Sequence, residues 1–161
     1  MSTVGGLPAH VLFVHFIVVL APLTAGLLAV CSVWPAARRR LVWPVLVLAS
    51  AIAVLTPVTT EAGEWLEDHV DRSAAVHTHT ELGDTMIYFS AALLLAAVGV
   101  TILHLRERTR PSSRVLTFIV AGLVIVVAVA TSVQVYRIGE SGSRAVWGDS
   151  VSAAFASQSV F

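Results

Sequence analysis

The chain contains no lysine, only one cysteine and few charges of either sign. With Cys31 alone, no disulfide can close within it, and the Cys-x-x-Cys-His haem-attachment string is absent. A lone thiol inside an apolar run is expected to pack as a small apolar group. Charged residues make up 12% of the 161 positions, against roughly a quarter in a soluble domain. No nucleophile–base pair and no phosphate-binding loop stands out, so the residues give no enzymatic reading. The formal net charge is zero, and nothing points to nucleic acid as a partner.

What the chain has instead is apolar length. Apolar residues make up 57% of it, and the mean hydropathy is +0.84. The excess falls in four runs, about 11–33, 41–58, 86–105 and 115–136. Each is near the ~20 residues that cross a ~30 Å hydrocarbon layer as helix. The runs are continuously apolar rather than alternating, which favours helices over a barrel. The first run lacks a basic segment before it and is expected to remain as a span rather than be cleaved.

The charges are sorted between the connections. Arg38, Arg39 and Arg40 separate the first two runs, and Arg106, Arg108, Arg110 and Arg114 separate the last two, with Glu107 the one acid among them. The other nine acids fall at the opposite end, among them Glu61, Glu64, Glu67, Asp68, Asp71, Glu81, Asp84, Glu140 and Asp149. Short cationic loops stay in the cytoplasm. The sequence therefore predicts an all-α, four-transmembrane-helix up-down bundle with both termini extracytoplasmic. Spans are expected over about 8–33, 41–66, 79–105 and 115–136, followed by an outer tail over 137–161. Trp34 and Trp43 would mark one interface, Trp65 and Tyr136 the other. No internal repeat is evident.

Five of six histidines, His10, His15, His69, His77 and His79, lie at the acidic end; His104 lies at the arginine end. Counting up from the arginine end at ~1.5 Å per residue puts His10 and Glu64 near ~35 Å and His79 near ~39 Å. His15 and Glu61 fall near ~27–30 Å, about a turn deeper, with Asp84 and Gln134 at similar depth. Imidazole with carboxylate suits zinc, copper or iron, and haem iron needs one or two axial histidines. His10 and His15 are roughly 140° apart around a helix, so one of them serves more easily than both. His15 lies within an apolar run, where an ionisable group usually faces the bundle interior. His69 and His77 are expected to be solvated, His77 paired with Glu81 one turn on. His104 is expected to be an interfacial residue. Thr24, Thr101, Thr117, Thr131 and Ser132 are expected to bond back to helix carbonyls, and Gln134 to bond between helices.

Four strings resemble a family of bacterial membrane proteins, the domain of unknown function 2231. They are Leu7-Pro8-Ala9-His10 with His15 five residues on, Glu61-Ala62-Gly63-Glu64, His79-Thr80-Glu81-Leu82-Gly83, and Gly139-Glu140-Ser141-Gly142 with Val146-Trp147. The chain departs from the pattern at Glu140, where some relatives carry histidine. The resemblance implies a four-helix protein of a bacterial inner membrane. Fusion of some relatives to Rieske or cytochrome-type domains implies proximity to electron transfer.

The resulting expectation is an outward-facing site for haem b or a transition metal (copper, zinc or iron). His10, His15, His79 and Glu64 are its candidate ligands, and Glu61, Glu81 and Gln134 the groups behind them. Its role would be accessory to electron transfer, beside a redox membrane complex in the lipid bilayer. The alternative is a non-catalytic membrane scaffold or assembly module with no cofactor. Proton passage is disfavoured, because the arginine-end half of the spans has no ionisable relay.

Overall fold

The computed structural model describes residues 3–4, 7–67, 73–109 and 113–158. Asp68, His69, Asp71 and Arg110 lie outside them. A short antiparallel pair, β1 (Thr3–Val4) and β2 (Leu7–Pro8), leads into α1 (Ala9–Val33). Then follow α2 (Pro35–Glu67), α3 (Ala74–Asp84), α4 (Met86–Thr109) and α5 (Arg114–Gln158). Four helical stretches are long and apolar enough to cross a membrane: His10–Val33, Pro35–Glu67, Ala74–Thr109 and Arg114–Trp147. The third joins α3 to α4. Three limits differ from expectation, one of them the start of the third span at Ala74 rather than at 79. α2 begins before Arg38, since nothing in Pro35-Ala36-Ala37 resists helix once Pro35 takes the first turn. No separate outer tail forms either: α5 runs unbroken through Gly139 and Gly142 to Gln158, because packing of that stretch against α3 outweighs the weak helix propensity of Gly and Ser.

Each span buries one narrow stripe and leaves the rest apolar and exposed. α1 buries Ile17, Ala21, Thr24, Leu28, Cys31 and Ser32; α2 buries Val42, Val45, Ala49, Ile52, Thr56 and Thr59. The three-and-four spacing is that of a helix face. Val19, Leu23, Val47, Val54, Leu95, Phe118 and Val126 remain outside, and a surface that apolar is solvated by lipid. Contacts place α1 against α2 and α5, and α4 against the same two, so α1 and α4 are diagonal.

That arrangement hides an internal repeat which the sequence reading missed. The buried positions Ile17, Ala21, Thr24, Leu28, Cys31 and Ser32 of α1 map at one constant spacing onto Met86, Ser90, Leu93, Ala97, Val100 and Thr101 of α4, all buried. Val42, Val45, Ala49, Ile52, Thr56 and Thr59 of α2 map equally onto Ala121, Val124, Ala128, Thr131, Val135 and Ile138 of α5, again all buried. The chain is two helical hairpins related by a pseudo-twofold axis along the bundle. Most of the residues differ, because many small and branched apolar side chains fill such a seam equally well; Val45 and Val124, and Ala49 and Ala128, are the identical pairs among them.

The two ends of the bundle are held differently. At the arginine end, Arg38 is 1% exposed, and its Nη2 donates to Glu107 Oε1 at 2.8 Å, tying α2 to α4. Its Nε and Nη1 meet no partner among the described residues. His104 is buried there rather than interfacial, since α4 turns that face inward alongside Leu103 and Val100. At the other end the helix breaks between α3 and α4. Leu82 O, released by the break, accepts from Thr85 Oγ1 (2.7 Å) and Gln134 Nε2 (3.2 Å), and the same amide donates to Thr85 Oγ1 (2.7 Å). Buried Gln134 thus staples α5 to the junction, the interhelical role its position suggested. Thr101, Thr117 and Ser132 bond back to their helices as expected. Thr24 and Thr131 do not: both hydroxyls are buried without a partner among the described residues.

Candidate cofactor site

Near the end of the bundle opposite the Arg38–Glu107 pair, one histidine from each half of the repeat meets the other. His10 is in the first turns of α1, and His79 is in the middle of α3. Their ring centres are 6.2 Å apart and their planes lie at 83°. Both rings are half-buried.

The ring nitrogens are differentiated by what they touch. His10 Nδ1 lies 2.9 Å from the carbonyl oxygen of Thr59 on α2. A carbonyl only accepts, so Nδ1 carries the proton and donates. His79 Nδ1 lies 3.0 Å from Ser141 Oγ on α5. That hydroxyl spends its own proton on Ile138 O, at 2.9 Å, so it accepts from the ring; the Ile138 carbonyl also bonds to it. In the neutral form of each ring Nε2 is then the nitrogen with the free lone pair, the form in which imidazole ligates a metal. The carbonyl or hydroxyl behind each Nδ1–H fixes ring orientation as the outer partners of ligand histidines do.

Two glycines let the backbone come that close. A Cβ on Gly63 would sit 2.9 Å from Cε1 and Nδ1 of His10; one on Gly142 would sit 3.0 Å from Cε1 of His79. The two cradles are the same device used twice. Thr59 and Gly63 are one turn apart on α2, and Ile138 and Gly142 are one turn apart on α5. They correspond at the spacing that relates the two helices throughout. Glu61-Ala62-Gly63 and Glu140-Ser141-Gly142 are the trace of that repeat in the sequence.

The pair borders a cavity of about 770 Å³ lined by α1, α2, α3, α5 and Met86 of α4. Ile17, Val18, Met86, Val135 and Ile138 line its depth, and Glu64, Glu67 and Asp84 also border it. This is the size and mostly apolar character of a site for a cofactor or small molecule.

The other expected site residues take separate places. His15 also borders the cavity but is exposed on the bundle surface, its Nδ1 bonded to Val11 O of its own helix. The expectation that it faces inward fails because His10, five residues earlier, already occupies the inward face. Glu64 is exposed and reaches the cavity rim; with Glu61 and Asp84 it also lines a smaller cleft of about 310 Å³. Glu81 is exposed and pairs with His77 at 3.5 Å, away from the His10–His79 pair. Gln134 serves the α3–α4 junction. Among the described residues no three His, Cys, Asp or Glu side chains converge as a ligand set; of the four candidate ligands, His10 and His79 are the two whose rings meet. Thr59, Gly63, Ser141 and Gly142, which hold those imidazoles, were not given that role from the sequence.

No curated protein matches the chain, and no solved structure matches it. A family model described as a predicted membrane protein, domain of unknown function 2231, matches residues 6–154. The match spans all four membrane-crossing helices and both histidine cradles, and the chain belongs to that family.

Proposed function

We propose that this membrane protein holds haem b between its two halves, with Nε2 of His10 and Nε2 of His79 as axial ligands, and serves electron transfer. The observation that supports the reading is the pairing itself. Two imidazoles, one from each pseudo-symmetric half, stand with their ring centres 6.2 Å apart, and each has its Nδ1 engaged by an acceptor, which leaves Nε2 for a metal. Two metal–nitrogen bonds of about 2 Å, with the distance from each nitrogen to its ring centre, span about 6 Å. A bare copper or zinc ion would find two protein ligands there, short of the three or four that hold such ions. A porphyrin brings four equatorial nitrogens and lacks only the axial pair. A flat ring also suits a site on a pseudo-twofold axis.

When bound, haem supplies a one-electron couple. The chain supplies two oriented imidazoles, made more basic by the acceptors behind Nδ1, and an apolar enclosure that limits water. Arg38, Arg39, Arg40, Arg106, Arg108 and Arg114 cluster at the opposite end, which supports an orientation with that end in the cytoplasm of a bacterial cell and the site facing outward. Both termini then lie outside, and an electron partner would dock at the outer surface of the inner membrane.

The test is expression with a supply of haem, purification in detergent, and visible absorption with pyridine haemochrome analysis. The expected result is a Soret band at one haem per chain that is lost in His10→Ala and in His79→Ala. A protein that stays colourless under haem supply overturns the cofactor and leaves the scaffold reading.

A further inference from the structure

Arg38 is a buried charge far from the histidines, and the haem reading gives it no work. Its Nη2 donates to Glu107 Oε1, but Nε and Nη1 are buried with no acceptor among the described residues. A guanidinium cannot shed its proton, so unmet donors on it cost more than those of a neutral group. Buried donors left in this state call for an acceptor from outside the chain. The partner Glu107 is 27% exposed, so the guanidinium lies one side chain in from the surface. The surrounding charge selects the kind of acceptor. Arg39 and Arg40 follow Arg38 on α2, Arg106 and Arg108 flank Glu107 on α4, and Arg114 opens α5; all five are exposed. Exposed Trp34 and Trp43 bracket Arg38 in the chain. Such rings sit at the headgroup level of a bilayer, which puts Arg38 at the level of lipid phosphates.

We infer that the arginine end binds a phosphate group, with Nε and Nη1 of Arg38 as its buried donors and the five exposed arginines as the field that draws it in. The group comes from an anionic lipid headgroup or from solution. A phosphate brings a full negative charge and several acceptor oxygens, which suits a guanidinium with donors to spare. Basic clefts between membrane helices take anionic headgroups in this way. Glu107 is the competitor built into the site, since it already holds one nitrogen of the guanidinium. A phosphatidylcholine headgroup carries a cation beside its phosphate, and the arginines repel it. This inference goes beyond the haem reading and does not depend on it.

The experiment titrates the full-length protein in detergent with phosphatidylglycerol, phosphatidylcholine and inorganic phosphate in turn. Affinity is read from the concentration dependence of thermal unfolding. The wild type is expected to bind phosphatidylglycerol about tenfold or more tightly than phosphatidylcholine. Arg38→Lys keeps the charge and loses the planar fork, and is expected to bind about tenfold more weakly, the worth of one charge-assisted hydrogen bond. Glu107→Gln removes the competing anion and is expected to bind more tightly. Arg39→Gln with Arg106→Gln, both on exposed side chains, is expected to weaken binding about fivefold for each charge removed. Binding of phosphatidylglycerol without inorganic phosphate assigns the group to lipid, and binding of inorganic phosphate assigns it to solution; both support the site. Equal affinity for the two lipids with no response to phosphate overturns the proposal, as does an Arg38→Lys protein that matches the wild type. If Arg38→Lys does not fold, an unchanged affinity in the Arg39→Gln, Arg106→Gln protein overturns it instead.

Discussion

His10 and His79 face each other with ring planes 83° apart, and each is pinned through Nδ1 to the helix behind it. One comes from each half of a molecule whose halves repeat in burial but hardly in sequence. The pinning partners are non-equivalent in one respect. Behind His10 stands a backbone carbonyl; behind His79 stands a carbonyl together with the hydroxyl of Ser141.

With haem held as proposed, that difference would make Ser141 a lever on its couple. Ser141→Ala leaves the Ile138 carbonyl but removes one acceptor from the His79 N–H. A less basic ligand stabilises the oxidised metal less. The variant is expected to bind haem with an unshifted Soret band and to show a midpoint potential raised by tens of millivolts, read by redox titration.

The glycine cradles should be intolerant of a single methyl group. Gly63→Ala and Gly142→Ala place a carbon 2.9 and 3.0 Å from ring atoms. Either the ring or the helix must shift, at about 1–3 kcal/mol. Both variants are expected to lose haem occupancy while inserting normally. Gly99→Ala is the control, since nothing lies within 4 Å of its Cβ. It is expected to keep full occupancy and to gain up to about 1 kcal/mol from helix propensity. Occupancy is read by absorbance ratio and stability by thermal unfolding in detergent.

Arg38 and Glu107 should matter to stability and not to colour. Removing the acid by Glu107→Ala leaves a buried guanidinium without its one described partner. The expected cost is about 3 kcal/mol, because an uncompensated buried charge remains. Thermal unfolding is expected to move down by several degrees with the absorption spectrum unchanged. A spectral change would mean that the arginine end communicates with the site.

The spans, their number and the level of the two key histidines were legible in the sequence, because hydropathy and a fixed rise per residue are nearly independent of packing. The Glu107 partnership was not, since loop arginines look solvated until a helix such as α2 extends through them. His15 was misplaced for a related reason. α1 is apolar on every face, so periodicity carried no signal as to which side is inward. The repeat was hidden because Ile17 and Met86, or Thr24 and Leu93, fill matching positions with different chemistry. His10 and His79, Val45 and Val124, Ala49 and Ala128, and Glu61-x-Gly63 and Glu140-x-Gly142 preserved it in letters, too few and too scattered to be noticed, and the Gly and Ser around the last copy suggested a loose tail. In the folded chain those small residues are what allow α5 to touch His79.

The central claim is that one iron is held by one imidazole from each half. Low-temperature electron paramagnetic resonance of the oxidised, haem-loaded protein tests it most directly, since the signal depends on both axial ligands and on the angle between their planes. The expected result is a low-spin ferric signal of the highly anisotropic kind given by near-perpendicular imidazoles, replaced by a high-spin signal in both His10→Ala and His79→Ala. A high-spin signal in the wild type, or a low-spin signal that survives either substitution, would contradict the claim.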